Sequence, residues 1–300
     1  MSINSIEYNQ HLAAQLDKAV TQKAQTGFFA DNNLRAKFIG AKTVNIPVMG
    51  MSGLGNYDRD TGFARGGVSV SHTPFTLEMD RGTSLQIDAQ DVDESGISSF
   101  AAEVAAEFVR TKVIPEVDAY VLSKLAGVAN EKNHTVTGTP ATGAYKMLTD
   151  AIAKVQDAIG YDEELVAFVD GTFNAALMNT TEINRQLVTT DFKKGELNTK
   201  VKALNNVPIL PVESSRMKTS YTFHTGEDGN FGFAPAGTAK SIGLLVLPKR
   251  ACSLVKKTEE TRIFTPKQNQ SADAWKIDYR TYYDAFVKDS LKDGIYVYTY

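Results

Sequence analysis

Cysteine is nearly missing from the chain: Cys252 stands alone among 300 residues. No intramolecular disulfide framework is possible, so the fold does not depend on an oxidising compartment. Long apolar runs are missing as well. None approaches the roughly 20 residues that a membrane-spanning helix needs, and the opening stretch MSINSIEYNQHLAAQLDKAV is interrupted by polar residues where a signal peptide would be apolar. Neither sign of charge dominates, since 32 Lys and Arg stand against 35 Asp and Glu for a formal charge of -3. A chain so balanced carries no bulk electrostatic footprint for nucleic acid or for an anionic membrane. The histidines, His11, His72, His134 and His224, are scattered, with no i, i+4 pair and no cysteine partner, which leaves zinc without a ligand set. Internal repeats and low-complexity tracts are absent too. What is present is 42% hydrophobic and 22% charged, a composition expected of a soluble protein made in the cytosol. Its length suffices for one large domain or two ordinary ones, each with a real core.

One stretch suggests a metal. In DAQDVDESG, residues 88 to 96, Asp91, Asp93 and Ser95 alternate and Gly96 follows, as in the start of a calcium loop. Counted from Asp91, the twelfth position is Ala102, and Glu103 comes one place late for the bidentate carboxylate such a site requires. A long helical pattern follows, ISSFAAEVAAEFVRTKVIPEVDAYVLSKLAG, in which Phe100, Val104, Phe108, Val117, Val121 and Leu125 recur at spacings of three and four. The acidic run is therefore expected to lie at a helix N-terminus, with Asp93 or Ser95 as N-cap. At 1.5 Å per residue the helix runs about 45 Å. Pro115 is expected to bend it.

Before that helix, a thin amphipathic pattern over residues 5 to 25 (Leu12, Leu16, Ala19, Val20) predicts a helix too narrow in its apolar stripe to stand alone, followed by an irregular arm, TGFFADNNLR. KTVNIPVMG then alternates with Val44, Ile46 and Val48 on one face, and a second alternating run begins at VSVSH. Its phase slips between Val70 and Phe75, beside Pro74, then holds through Leu77, Met79, Leu85 and Ile87, so a bulge or bend is expected at Pro74. Together the runs predict one long hairpin over residues 42 to 88, with a glycine-rich tip, MSGLGNYDRDTGFARGG. An isolated two-stranded hairpin is marginal in water, so either a distant part of the chain or another subunit must cover it.

Beyond residue 132 the pattern becomes α/β. Met147, Leu148, Ala151, Ile152 and Val155 predict a helix, ELVAFVD a buried strand, GTFNAALMN a helix, and VPILPV and SIGLLVL further strands. Near the C-terminus Trp275, Ile277 and Tyr279 alternate with Lys276, Asp278 and Arg280. Tyr279, Tyr282, Tyr283, Tyr296, Tyr298 and Tyr300 make up half of the twelve tyrosines, suiting a half-exposed sheet or an interface.

Each enzymatic signature fails at a named residue. GTPATGAYK, from Gly138, has the glycine spacing of a phosphate loop, but Ala144 stands where lysine must follow Gly143. GMSG at 50 to 53 is followed by Leu54 instead of the second glycine of a nucleophile elbow. Asp162, Glu163 and Glu164 read as a solvated loop beside a strand, and Cys252 as a small packed residue. The sequence thus offers no catalytic residue, no cofactor-binding residue and no metal ligand set.

The order of parts is more telling. FIGAKTVNIPVM, GLGNYDRDTGFARGGVSV, TLEMDRGTSLQIDAQDVDE and RTKVIPEVDAYVLSKLA, with DAWKIDYRTYYDAFV near the end, resemble the stretches that carry the major capsid protein of tailed bacteriophages, with its Hong Kong 97-type fold, from N-arm through spine helix to closing strands. The resemblance covers nearly the whole chain and is strongest over residues 38 to 127. It implies an α+β fold with an N-terminal arm (1–40), an extended β-hairpin loop (41–92), a peripheral domain with the spine helix (93–132), an α/β axial domain (133–245) and closing strands of the peripheral domain (246–300). By the same resemblance the chain is structural and not an enzyme. It assembles with itself as hexamers and pentamers into an icosahedral head that encloses phage DNA without sequence-specific binding. Its place is the virion, assembled in the host cytoplasm, with no membrane involved and with a separate scaffolding protein and a portal as partners. No lysine occurs between Lys42 and Lys112, so the covalent cross-link that some members form through a loop lysine is not expected. An encapsulin-type nanocompartment shell and a soluble α/β enzyme are the alternative readings.

Overall fold

The computed structural model describes residues 24–31, 37–39, 43–57, 59–60, 62–63, 65–90, 100–140, 143–180, 188–194 and 197–300. The helix expected over residues 5 to 25, apart from its last two residues, and the acidic cap at Asp91, Asp93 and Ser95 lie outside the described residues. In chain order the strands begin with β1 (Lys37–Ile39), β2 (Thr43–Met51), β3 (Val68–Thr76), β4 (Met79–Asp88) and β5 (Thr135–Thr137). They continue with β6 (Leu165–Val169), β7 (Val188–Lys194), β8 (Leu197–Leu204), β9 (Val207–Pro211) and β10 (Tyr221–Phe223). The last are β11 (Phe233–Pro235), β12 (Ile242–Pro248), β13 (Cys252–Phe264), β14 (Ala274–Val287) and β15 (Tyr296–Thr299). The helices are α1 (Phe100–Phe108), α2 (Ile114–Glu131), α3 (Ala144–Ile159) and α4 (Gly171–Met178).

The apolar runs read from the sequence build a seven-stranded sheet in the order β5-β15-β12-β6-β9-β8-β7. Its central strands β15, β12, β6 and β9 are buried on both faces, so their period-two alternation sorts side chains between two cores instead of between core and solvent. Val166, Phe168, Leu245 and Leu247 join α2 in one core, whereas Leu165, Ala167, Val169, Leu244 and Val246 join α3 in the other. Ile242 lies in the first core although Leu244, two residues on, lies in the second. A register shift between them, at Gly243, accounts for the exchange of faces. Each fully buried side chain of this size contributes about 1.5–3 kcal/mol over its exposed state. Asp170 starts α4 by accepting the Phe173 backbone N–H at 2.7 Å.

Residues 100 to 131 run as one helical rod. Val117, Val121 and Leu125 are buried along α2, as their spacing predicts. Pro115 does not break the rod. A π turn, Val109–Val113, precedes it, Ile114 N–H donates to the Val109 carbonyl five residues back, and the backbone at Phe108, Val113 and Ile114 stays right-handed helical. The wider turn accommodates the ring where it would crowd the preceding carbonyls, and the proline sits in the first turn of α2, where its missing N–H costs least.

The long hairpin expected over residues 42 to 88 is corrected by the structure. β2 and β3 pair from Thr43↔Thr76 to Met51↔Val68, but β4 leaves them and pairs with β14 from Met79↔Tyr283 to Asp88↔Ala274. The break falls at Leu77 and Glu78, not at Pro74, which lies inside β3 opposite Asn45 with no register shift. β3 is an edge strand, where a residue without an N–H is tolerated. β4 forms a three-stranded sheet, β13-β14-β4, with the long C-terminal hairpin. The end of the chain also differs from the expected order: β15 does not close that sheet but inserts between β5 and β12 in the seven-stranded one.

Candidate functional site

The residues tested for chemistry disperse. His134 stacks on Tyr296 with ring centroids 5.5 Å apart, and His224 lies in the loop after β10. His11 and the side chain of His72 lie outside the described residues. Cys252 is buried, and burial pushes its thiol pKa up to about 12, the reverse of what a nucleophile needs. Glu164 pairs with Lys249 at 3.3 Å, beside β6 as a solvated loop would. Gly138 lies against Met147, and Gly143 sits at φ 100 immediately before α3, with Ala144 where a phosphate loop needs lysine. The Ser52 hydroxyl accepts from Gly67 N–H at 2.9 Å and donates to the Gly67 carbonyl at 3.2 Å. It is a rung of the β2–β3 hairpin. Among the described residues no group of His, Cys, Asp and Glu could hold a metal ion, and no helix is long and apolar enough to cross a membrane.

The conspicuous surface is the β2–β3 hairpin itself. Met51, Leu54, Tyr57, Phe63, Val68 and Val70 stand exposed on it, Leu54 at 106% and Phe63 at 86%. Elsewhere among the described residues large exposed apolar side chains are isolated, at Tyr161, Phe231 and Tyr300. The cluster is organised: Tyr57 and Phe63 meet edge to face with centroids 4.9 Å apart. Gly50 allows the two strands their close approach, since a Cβ there would meet Ser69 Oγ at 2.7 Å. Exposed apolar side chains gathered on one hairpin make it the candidate contact surface among the described residues.

The root of the hairpin is tied down. Tyr282 OH donates to the Leu77 carbonyl at 3.0 Å, and Glu78 N–H donates to Asp284 at 3.3 Å. Asp284 is itself buried and accepts from Tyr120 OH at 2.7 Å, with Lys124 Nζ at 2.5 Å. Burial and then the Asp284 charge raise the Tyr120 pKa well above the ordinary phenol value. Leu77, Tyr282 and Phe286 form a small core of their own beneath this point, with Phe75 against Phe286 at 4.9 Å.

Two further polar knots fix neighbouring segments. Arg81, on β4, is held bidentately by Glu116 of α2 at 2.7 and 3.3 Å and donates to the carbonyls of His224 at 2.6 Å and Gly232 at 3.1 Å. Asp118, with no exposed surface, accepts from Gln25 N–H at 3.0 Å, Thr26 N–H at 2.9 Å, Thr26 Oγ1 at 2.6 Å and Arg216 Nη1 at 3.1 Å. It fastens residues 24 to 31 to the long helix. Sequence reading missed all three knots, although each left a trace. Arg81 stands in the odd-numbered series Leu77, Met79, Leu85, Ile87; Asp118 interrupts the apolar stripe of Val117 and Val121; Asp284 alternates with Tyr282 and Phe286.

No protein-family model and no curated protein sequence matches the chain. Solved structures do. The capsid of the cyanophage P-SCSP1u superposes with a TM-score of 0.58 at 16% identity, over 88% of this chain and 84% of that one. The mature capsid of bacteriophage PhiM1 gives 0.56 at 16% identity, over 86% and 82%. A virus-like particle from Pyrococcus furiosus gives 0.53 at 11% identity, over 97% and 99%. The chain therefore has the α+β fold of phage major capsid proteins.

Proposed function

We propose that the chain is a structural major capsid protein that assembles with copies of itself, as hexamers and pentamers, into an icosahedral head enclosing DNA. The observation that carries this reading is the exposed apolar hairpin. Met51, Leu54, Tyr57, Phe63, Val68 and Val70 have no cover within the described chain, on a fold whose solved relatives are shells. A neighbouring copy supplies the missing cover, and weak contacts multiplied by symmetry add to a stable closed shell. In this reading residues 43 to 76 are the extended loop that lies over the neighbour, with its root at Leu77 and Glu78. Residues 100 to 131 are the spine. The seven-stranded sheet with α3 and α4 is the axial domain, and β4, β13 and β14 belong to the peripheral one. The chain does no chemistry and takes no cofactor. A separate scaffolding protein and a portal are its assembly partners, and the virion is its place. With no lysine between Lys42 and Lys112, no covalent ladder forms through the loop.

The second reading is an encapsulin-type shell, which would enclose protein instead of a genome; the fold it shares with the virus-like particle from Pyrococcus furiosus, over 97% of this chain, is compatible with it. Light scattering and negative-stain microscopy of the purified protein, alone and with any co-encoded scaffold, test assembly. Closed shells, or capsomers that close when scaffold is added, support the proposal, and a strict monomer under all these conditions refutes it. Nuclease treatment followed by analysis of the contents separates an enclosed genome from an enclosed protein.

A further inference from the structure

Three Asp-Gly pairs occur in the chain, Asp170–Gly171, Asp228–Gly229 and Asp293–Gly294, and the fold treats them differently. This pair is chemically labile in proteins. The backbone nitrogen of the second residue attacks Cγ of the protonated aspartic acid, and the amide proton leaves with the hydroxyl of that carboxyl as water. The resulting five-membered succinimide takes up one water at either carbonyl. One opening returns aspartate, and the other gives isoaspartate, with the main chain routed through the side-chain carbon. Water lost equals water regained, and no oxidant or other reactant is needed. Glycine favours the attack because no Cβ hinders it.

Two of the pairs are protected. Asp170 is buried; its carboxylate accepts from Phe173 N–H at 2.7 Å and also from Tyr300 OH, so Cγ is not free to swing toward Gly171. Asp293 is held by Lys132 at 2.9 Å, and that partner's hydrogen bond and charge keep its carboxyl ionised below the usual range, the form that loses oxygen least readily. Gly294 is buried, and a Cβ there would meet Ile159 at 2.9 Å, which leaves no room for the ring.

Asp228 has none of this protection. It lies at the tip of the loop joining β10 to β11, exposed, and no hydrogen bond or ion pair of its carboxylate occurs among the described residues. Gly229 is exposed, with nothing within 4 Å of where a Cβ would be. Asp228 also sits at φ 52 and ψ 26, in the left-handed region that L residues other than glycine enter at a cost. Isomerisation inserts a methylene into the main chain at that point and relieves the constraint. The base of the loop is held independently, because Arg81 takes the carbonyls of His224 and Gly232.

We propose that Asp228–Gly229 is a site of spontaneous isoaspartate formation in the folded protein, an age mark confined to the β10–β11 tip. The change disturbs the tip closure, Gly226 N–H to the Asn230 carbonyl and Asn230 N–H to the Glu227 carbonyl, each at 3.0 Å, and the seat of the exposed Phe231 over Gly226. The test incubates the native protein in heavy-oxygen water at physiological pH and temperature. Digestion in ordinary water and mass spectrometry with electron-transfer fragmentation then read the peptides. Heavy oxygen and isoaspartate fragments should appear at Asp228, several-fold above Asp170 and Asp293, and the three sites should converge when the same incubation is done in denaturant. Asp228→Glu, which can close only a slower six-membered ring, should lose the label while the other two sites keep theirs. Native label that is absent at Asp228, or equal at the three sites, overturns the proposal.

Discussion

Arg81 and Glu116 meet across the junction of β4 and α2 in a bidentate ion pair, 2.7 and 3.3 Å, whose remaining guanidinium donors reach the carbonyls of His224 and Gly232. One side chain thereby joins the C-terminal sheet, the long helix and the β10–β11 loop. Replacing Arg81 by alanine leaves a half-buried carboxylate and two carbonyls without their donor. The expected loss is about 2–3 kcal/mol in urea denaturation of the unassembled protein. Arg81→Lys keeps the charge but not the fork, and should recover only part of it.

Asp118 is the more severe case because it is fully buried. Asp118→Ala strands Arg216 and the amides of Gln25 and Thr26, at an expected cost of about 3–5 kcal/mol. The informative readout is local. Hydrogen exchange at Gln25 and Thr26, slow in the parent, should become fast in the variant while the centre of α2 stays protected. Thr26→Val removes one hydroxyl bond and should cost about 1 kcal/mol.

On the hairpin the expectation reverses. Leu54 and Phe63 are exposed at 106% and 86%, so Leu54→Asp and Phe63→Asp should leave the stability of the unassembled chain within about 0.5 kcal/mol. Particle formation, followed by light scattering, should fall steeply in both. A matched loss of stability would mean that these side chains serve the fold and not the contact.

High pH should weaken the fold. Burial holds the Cys252 thiol up to about 12 against 9.0, and it raises Tyr120, Tyr279 and Tyr283 above their ordinary 10.0, with Asp284 and Glu259 adding to the rise at Tyr120 and Tyr279. The unfolded chain therefore releases these protons first and binds fewer of them above about pH 9, so unfolding stability falls as pH rises toward about 12. Below about pH 9 these groups are neutral in both states and exert no pull. Tyrosinate absorbance should lag in the native protein and rise together with loss of structure. A thiol reagent should reach Cys252 only after unfolding.

Much of the architecture was written in local pattern. VPILPV, SIGLLVL and ELVAFVD became β9, β12 and β6 because continuous apolar runs have few other places to go than a doubly covered sheet. The period of three and four from Val104 to Leu125 became α1 and α2 because that spacing gathers the apolar side chains on one stripe of a helix. The β7–β8 pair was missed: Val188 to Leu204 alternates weakly and is rich in lysine and threonine, and the turn that should have betrayed its far end, Asn205–Asn206, holds both residues at positive φ between Leu204 and Val207.

The sequence by itself determined the strongly patterned strands and helices, β6, β9, β12, β14 and α1 to α4, and that no enzymatic motif is complete. All of these depend on spacing within a few residues. Only the tertiary structure decided that β4 abandons β3 for β14, that β15 inserts beside β12, that Asp118 and Asp284 are buried, and that the partly buried Arg81 is tied to Glu116. The physical reason is that a strand's alternation fixes the face it buries but not the neighbour it pairs with. An isolated charge in an apolar stripe shows that it needs a partner without naming the residue, some 35 to 200 positions away, that supplies one.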